Sequence, residues 1–114
     1  MSEREWKLFL HDAEKSINRI IEYTEGMGKE RFFQDYKTFD AVMRNLTIIG
    51  EAIKHIPQDI RGKYKEIEWK KISGLRDIIV HGYFGIDEDI IWDVVENKIH
   101  ELKAQIEALI KKVL

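Results

Sequence analysis

The 114-residue chain contains no cysteine, a single proline and no long apolar run. The lack of cysteine excludes a disulfide scaffold, a thiolate zinc site and a cysteine nucleophile. The longest uncharged segment, residues 78–86, has nine residues, whereas a membrane span needs about twenty. Because the first twelve residues carry scattered charges and no apolar stretch, we expect no signal peptide. These absences predict a cytoplasmic protein without membrane contact.

The chain also lacks a large excess of positive or of negative charge. Nineteen lysines and arginines stand against 21 aspartates and glutamates, for a formal net charge of −2. This balance excludes a uniformly basic nucleic-acid coat, so any contact with RNA or DNA must come from a local patch. With 44% hydrophobic residues the chain also lacks the composition of a disordered protein. Its length is that of one domain, covering residues 1–114.

The apolar residues recur at three- and four-residue steps, and no segment alternates as a strand does. Proline 57 ends one helical segment, because the residue before a proline disfavours helix. The resulting prediction is an all-α, up-and-down bundle of four to five helices. Its main helices cover residues 3–23, 38–55, 69–81 and 87–113, with a short turn at 30–35 and a short helix and loop at 57–68. Because the last helix would span about 40 Å, longer than this bundle needs, we expect a homodimer.

A metal site of the di-metal bundle type is not expected. That site needs glutamate and histidine three residues apart. Here Glu51 and His55, like Glu96 and His100, are four residues apart. We therefore expect a protein without a metal or another cofactor.

The residues with the clearest chemistry are Arg76 and His81. Histidine exchanges a proton near neutral pH, and the planar guanidinium of arginine matches a phosphate. Together the two could bind a phosphodiester, deprotonate a ribose 2′-hydroxyl and stabilise the charge that develops on phosphorus. Helical geometry places them about 140° apart around the axis. The alternative is structural: Arg76 forms a solvated pair with Asp77, and His81 merely ends its helix.

Two further features favour the chemical interpretation. Glycine inside a helix costs about 1 kcal/mol relative to alanine, so Gly74 suggests close packing. Residues 61–76 carry six cations and two anions, which makes that segment locally +4 and suits a phosphate track. The alternative for the charged segment is an ordinary solvated face.

The segment from Arg76 to Tyr83 reads R-x(4)-H-x-Y. It resembles the signature of HEPN-superfamily ribonucleases, specifically the HepT-like toxins that are paired with a minimal nucleotidyltransferase antitoxin. Other segments resemble the same family in the same order, namely residues 20–26, residues 41–52, Trp69 and residues 82–87. The resemblance covers roughly residues 10–110.

The resemblance implies a helical homodimer whose composite cleft cuts RNA without a metal. Arg76 and His81 match the catalytic pair of the family, and Asp77 matches the polar residue that orients the arginine. Asn45 and Glu51 match polar positions on a neighbouring helix and are assigned a supporting role.

Tyr83 matches the tyrosine that the antitoxin of this family adenylylates. Adenylate phosphates beside the cleft would repel RNA and block it sterically. The alternative for Tyr83 is that it packs against Phe84 at a helix end. For the whole chain, the alternatives are a non-catalytic nucleotide- or partner-binding module and a structural protein that dimerises through its last helix.

Overall fold

The computed structural model describes residues 3–82 and 85–113. Within these ranges the chain is helical and contains no strand, so the predicted all-α bundle is confirmed. Its longest dimension is 41 Å. The helices are α1 (Glu3–Thr24), α2 (Lys29–Gln34), α3 (Tyr36–Lys54), α4 (Gln58–Lys63), α5 (Trp69–Gly82), α6 (Glu88–Asp93) and α7 (Ile99–Val113), with a π-helical segment (Val94–Lys98) between α6 and α7.

Helix α3 lies at the centre of the bundle, between α1 and α5, and α1 packs in turn against α7. The apolar stripes of these helices form one core, in which most members are fully buried. The buried set includes Leu10, Ile17, Ile20, Leu46, Ile49, Ile53, Ile91, Ile99, Ile106 and Leu109. The described helices include none that is long and apolar enough to cross a membrane.

The ends of the helices follow from local chemistry. Gly26, just after α1, has a φ of +77°, a conformation that glycine adopts without strain. At the start of α3 the side chain of Asp35 accepts a hydrogen bond from the backbone N–H of Thr38 at 3.1 Å, and this bond lowers the pKa of Asp35. The turn predicted at residues 30–35 is a helix instead, α2, which the fully buried Phe32 anchors to the core.

The π-helical segment interrupts the predicted last helix. The spacing of the buried residues around this segment explains the interruption. Ile91, Val95 and Ile99 follow each other at steps of four and are all at most 2% exposed. In an α-helix two such steps rotate a side chain by about 80° away from the core. A π-turn accommodates one extra residue, and here the N–H of Ile99 donates to the carbonyl of Val94, five residues earlier. The three side chains therefore share one buried face.

The close contact between α3 and α5 occurs at Gly50. A methyl group at Gly50 would overlap the Cβ of Arg76 and lie 3.3 Å from the carbonyl oxygen of Ile72. A methyl group at Gly74 would meet nothing within 4 Å. The expectation that Gly74 serves close packing is therefore wrong within the single chain, because a Cβ at this position would meet no other group.

Because a methyl group fits at Gly74 but not at Gly50, replacing glycine by alanine should have opposite effects on stability at the two positions. Gly50→Ala forces α3 and α5 apart, and overpacking of this kind costs about 1–3 kcal/mol or more. Gly74→Ala meets no obstacle and gains helix propensity, up to about 1 kcal/mol. In urea unfolding we expect Gly50→Ala to be less stable than the wild type and Gly74→Ala to be at least as stable. Equal stabilities of the two variants would contradict the close contact at Gly50.

Candidate active site

Arg76 is held at the crossing of α3 and α5 by carboxylates from both helices. Its Nε pairs with Oε1 of Glu51 on α3, and its Nη1 lies 3.1 Å from Oδ1 of Asp77, the next residue on α5. The Arg76 side chain is only 27% exposed. Glu51 reaches Arg76 because the neighbouring Gly50 allows the two backbones to approach. Only the contact with Asp77 is a hydrogen bond. The buried Nε pairs with Glu51 by charge and has no hydrogen-bond partner among the described residues, so the side chain is oriented while most of its five donors stay uncommitted to these carboxylates.

Asp77 links this pair to a second cation. Its Oδ1 also accepts a hydrogen bond from the Nζ of Lys54, at 3.0 Å, in the last turn of α3. The hydrogen bonds from Lys54 and then from Arg76 lower the pKa of Asp77 below its ordinary 3.8. Glu51, Lys54, Arg76 and Asp77 thus form a chain of alternating charges across the helix crossing, which we call the charge network.

His81 lies apart from this network. It is exposed and sits one residue before the end of α5. Five helical residues separate it from Arg76, about 7.5 Å along the axis and about 140° around it. The two members of the predicted catalytic pair therefore point from different faces of the same helix.

Two other predicted site residues, Asn45 and Tyr83, do not belong to the charge network defined above. Asn45 is buried, and its Nδ2 donates to the carbonyl of Ala41 in its own helix at 2.8 Å. Its Oδ1 is buried without a hydrogen-bond partner among the described residues. Tyr83 lies outside the described residues.

The predicted phosphate track in residues 61–76 is only partly available. Arg61 donates to the carbonyls of Ile53, Lys54 and Ile56 at 2.9–3.2 Å, so it satisfies carbonyls at the end of α3. Lys71 pairs with Glu68 at 2.7 Å, and Arg76 belongs to the charge network. Arg61 and Lys71 are therefore taken up by other groups of the protein, while Arg76 is partly neutralised by its two carboxylates. The other three, Lys63, Lys65 and Lys70, are exposed.

An apolar groove of about 640 Å³ runs beside α5, between α3 on one side and helices α6 and α7 on the other. Ile78 and Ile90 border it, and each is 56% exposed. Its other apolar lining residues are Leu46, Ile49, Ile72, Leu75, Val94, Ile99 and Leu102. This groove was not predicted from the sequence. The sequence feature that indicates it is the presence of Ile78 and Ile90, large apolar residues outside the stripes that form the core.

The described residues contain no group of three or more histidine, cysteine, aspartate or glutamate side chains that could hold a metal ion.

Comparison with known proteins identifies the family. Residues 13–109 match the model of the family described as "Ribonuclease HepT-like". The chain belongs to this family. The resemblance inferred from the R-x(4)-H-x-Y motif is thereby confirmed.

Relatives of this HepT-like chain carry ribonuclease names. "Putative RNase MJ0127" of Methanocaldococcus jannaschii is 41% identical, over 99% of this chain and 93% of the relative. "Probable ribonuclease HepT" of Thermococcus cleftensis is 41% identical, over 95% of this chain and 98% of the relative. "Putative RNase TTE0752" of Caldanaerobacter subterraneus is 39% identical, over 82% of this chain and 83% of the relative. No solved structure matches the chain.

Proposed function

We propose that this HepT-like chain is a metal-independent endoribonuclease in which Arg76 binds the scissile phosphate and His81 transfers protons. The observation that carries the proposal is the orientation of Arg76 by Glu51 and Asp77, with an exposed histidine on the same helix. The names of the relatives support RNA as the substrate.

In the proposed reaction a neutral imidazole removes the proton of a ribose 2′-hydroxyl. The 2′-oxygen attacks the adjacent phosphorus, and the bond from phosphorus to the 5′-oxygen breaks. The leaving 5′-oxygen takes a proton from an imidazolium, which yields a 2′,3′-cyclic phosphate and a 5′-hydroxyl. The guanidinium of Arg76 stabilises the charge that builds on the phosphate oxygens.

The proposal includes a homodimer that is formed over the apolar groove. Within one chain Arg76 and His81 point about 140° apart, which favours a cleft to which two copies contribute. An apolar patch of this kind marks an interaction site. In a two-fold dimer the same patch of both copies pairs with itself. A second copy on this patch would bring its own α5, with its histidine, against the first α5 at Ile78, a residue that lies about 200° around the helix from Arg76.

The regulation that we propose is adenylylation of Tyr83 by a minimal nucleotidyltransferase antitoxin, which would make the chain the toxin of a toxin–antitoxin pair. The tyrosine oxygen would attack the α-phosphate of ATP and release pyrophosphate. Added phosphates two residues from His81 would repel RNA by like charge. The family motif, in which Tyr83 follows His81 at this spacing, supports this role.

Cleavage is tested with purified protein, total RNA and EDTA. We expect the wild type to cut RNA and His81→Ala to lose at least about a hundredfold in rate, since general acid–base groups contribute about 10²–10⁴. His100→Ala, at an exposed histidine of α7, is the matched control and should cut like the wild type. The products should carry 2′,3′-cyclic phosphate and 5′-hydroxyl ends.

Equal cleavage by all three proteins would point to a contaminating nuclease. Intact RNA with wild-type protein that mass spectrometry shows to be unmodified at Tyr83 would contradict the ribonuclease. That result would favour the non-catalytic binding module.

The dimer is tested by placing a charge on the groove. Ile78→Asp should convert a dimer into a monomer in sedimentation and abolish cleavage, because an aspartate would be desolvated in the interface. Leu8→Asp is the matched control, since Leu8 on α1 is 54% exposed and does not border the groove. A monomeric wild type at micromolar concentration, or Ile78→Asp that remains a dimer, would refute this interface.

Adenylylation is tested with ATP, Mg²⁺ and a minimal nucleotidyltransferase, followed by mass spectrometry of the intact protein. The wild type should gain adenylates and lose cleavage, while Tyr83→Phe should gain none. Tyr36→Phe, at a tyrosine that is 77% exposed, should be modified like the wild type. Modification of Tyr83→Phe to the wild-type extent would exclude this site.

A further inference from the structure

Lys54 is the member of the charge network to which neither the motif nor the family resemblance gives a role. It occupies the last turn of α3, four residues after Gly50 and three after Glu51. Residues at these spacings share one helix face, and here that face meets α5. The Nζ of Lys54 lies 3.0 Å from Oδ1 of Asp77, the same oxygen that accepts from Arg76 at 3.1 Å.

The charges of the network show what Lys54 contributes. Without it, one guanidinium would face two carboxylates, and the crossing would carry a net charge of −1. An RNA phosphate that approached Arg76 would then meet repulsion from Glu51 and Asp77. With Lys54 the four charges sum to zero, and the negative charge of Asp77 is shared between two cations.

We propose that Lys54 is a positioning residue of the site, which neutralises Asp77 and thereby keeps the guanidinium of Arg76 able to bind an RNA phosphate. The inference rests on the proposed function, because it names a further residue for the same site. Lys54 acts through Asp77, so its effect on RNA binding requires the carboxylate of Asp77.

Other lysines of the chain do not fit this role. Lys71 pairs at 2.7 Å with Glu68, the residue just before α5. Lys15 is exposed on α1, outside the contact between α3 and α5 and outside the basic segment 61–76. Lys15→Met therefore changes the net charge of the protein as Lys54→Met does, without touching the charge network, and it is the matched control.

The test measures binding of a 2′-O-methylated RNA oligonucleotide, which lacks the attacking hydroxyl and is not cut, by fluorescence anisotropy at low salt. Lys54→Met should weaken binding about threefold to tenfold relative to Lys15→Met, since exposed charges interact through a screened medium. Lys54→Arg should restore binding to within about twofold of the wild type. In the Asp77→Asn background the Lys54→Met change should cost less than about twofold.

A measurement without RNA tests the same contact. The carboxyl of Asp77, followed by NMR during an acid titration, should show a pKa below its ordinary 3.8 in the wild type. Loss of the Lys54 hydrogen bond should raise that pKa towards 3.8 in Lys54→Met, while Lys15→Met should leave it unchanged.

The possible failures are distinguishable. Equal RNA binding by Lys54→Met and Lys15→Met, or an equal Lys54→Met penalty in both Asp77 backgrounds, would overturn the role of Lys54 while leaving the ribonuclease intact. An unchanged Asp77 pKa in Lys54→Met would overturn it as well. Wild-type protein that neither binds nor cuts RNA would overturn the proposed function, and this inference with it.

Discussion

The close approach of α3 and α5 at Gly50 is the constraint on which the candidate site depends. Because residue 50 has no side chain, the backbone of Arg76 lies against α3. Glu51 and Lys54, on the same face of α3, then meet Arg76 and Asp77 in an alternating chain of charges. A larger residue at this crossing would separate the helices and would loosen the arginine before it changed the fold.

An arginine that is fixed in this way has a definite consequence for chemistry. Its guanidinium is oriented before substrate arrives, so less side-chain entropy is lost when a phosphate binds. The histidine of the motif is on another face of α5, and the apolar groove beside α5 offers a surface for a second copy. In the cleft that we propose, an arginine anchored within one chain meets a proton-transfer group brought by the partner.

The fold could be predicted from the sequence because burial follows helical periodicity, and the stripes that include Ile17, Ile49 and Ile106 are indeed buried. The motif residues could be predicted too, through the family. The sequence did not indicate that Gly50 rather than Gly74 makes the close contact, because that depends on which helix faces meet. The groove could not be predicted for a similar reason, because the helices that line it are far apart in the chain. Its only sequence signal is the pair of exposed apolar residues Ile78 and Ile90.

The most direct test of the account mixes two inactive variants, Arg76→Ala and His81→Ala, under conditions that let subunits exchange. If each cleft combines the arginine of one copy with the histidine of the other, the mixed dimer holds one intact pair, and RNA cleavage should reappear in EDTA. Continued inactivity, with mixed dimers shown to form by native mass spectrometry, would contradict a cleft shared between two copies.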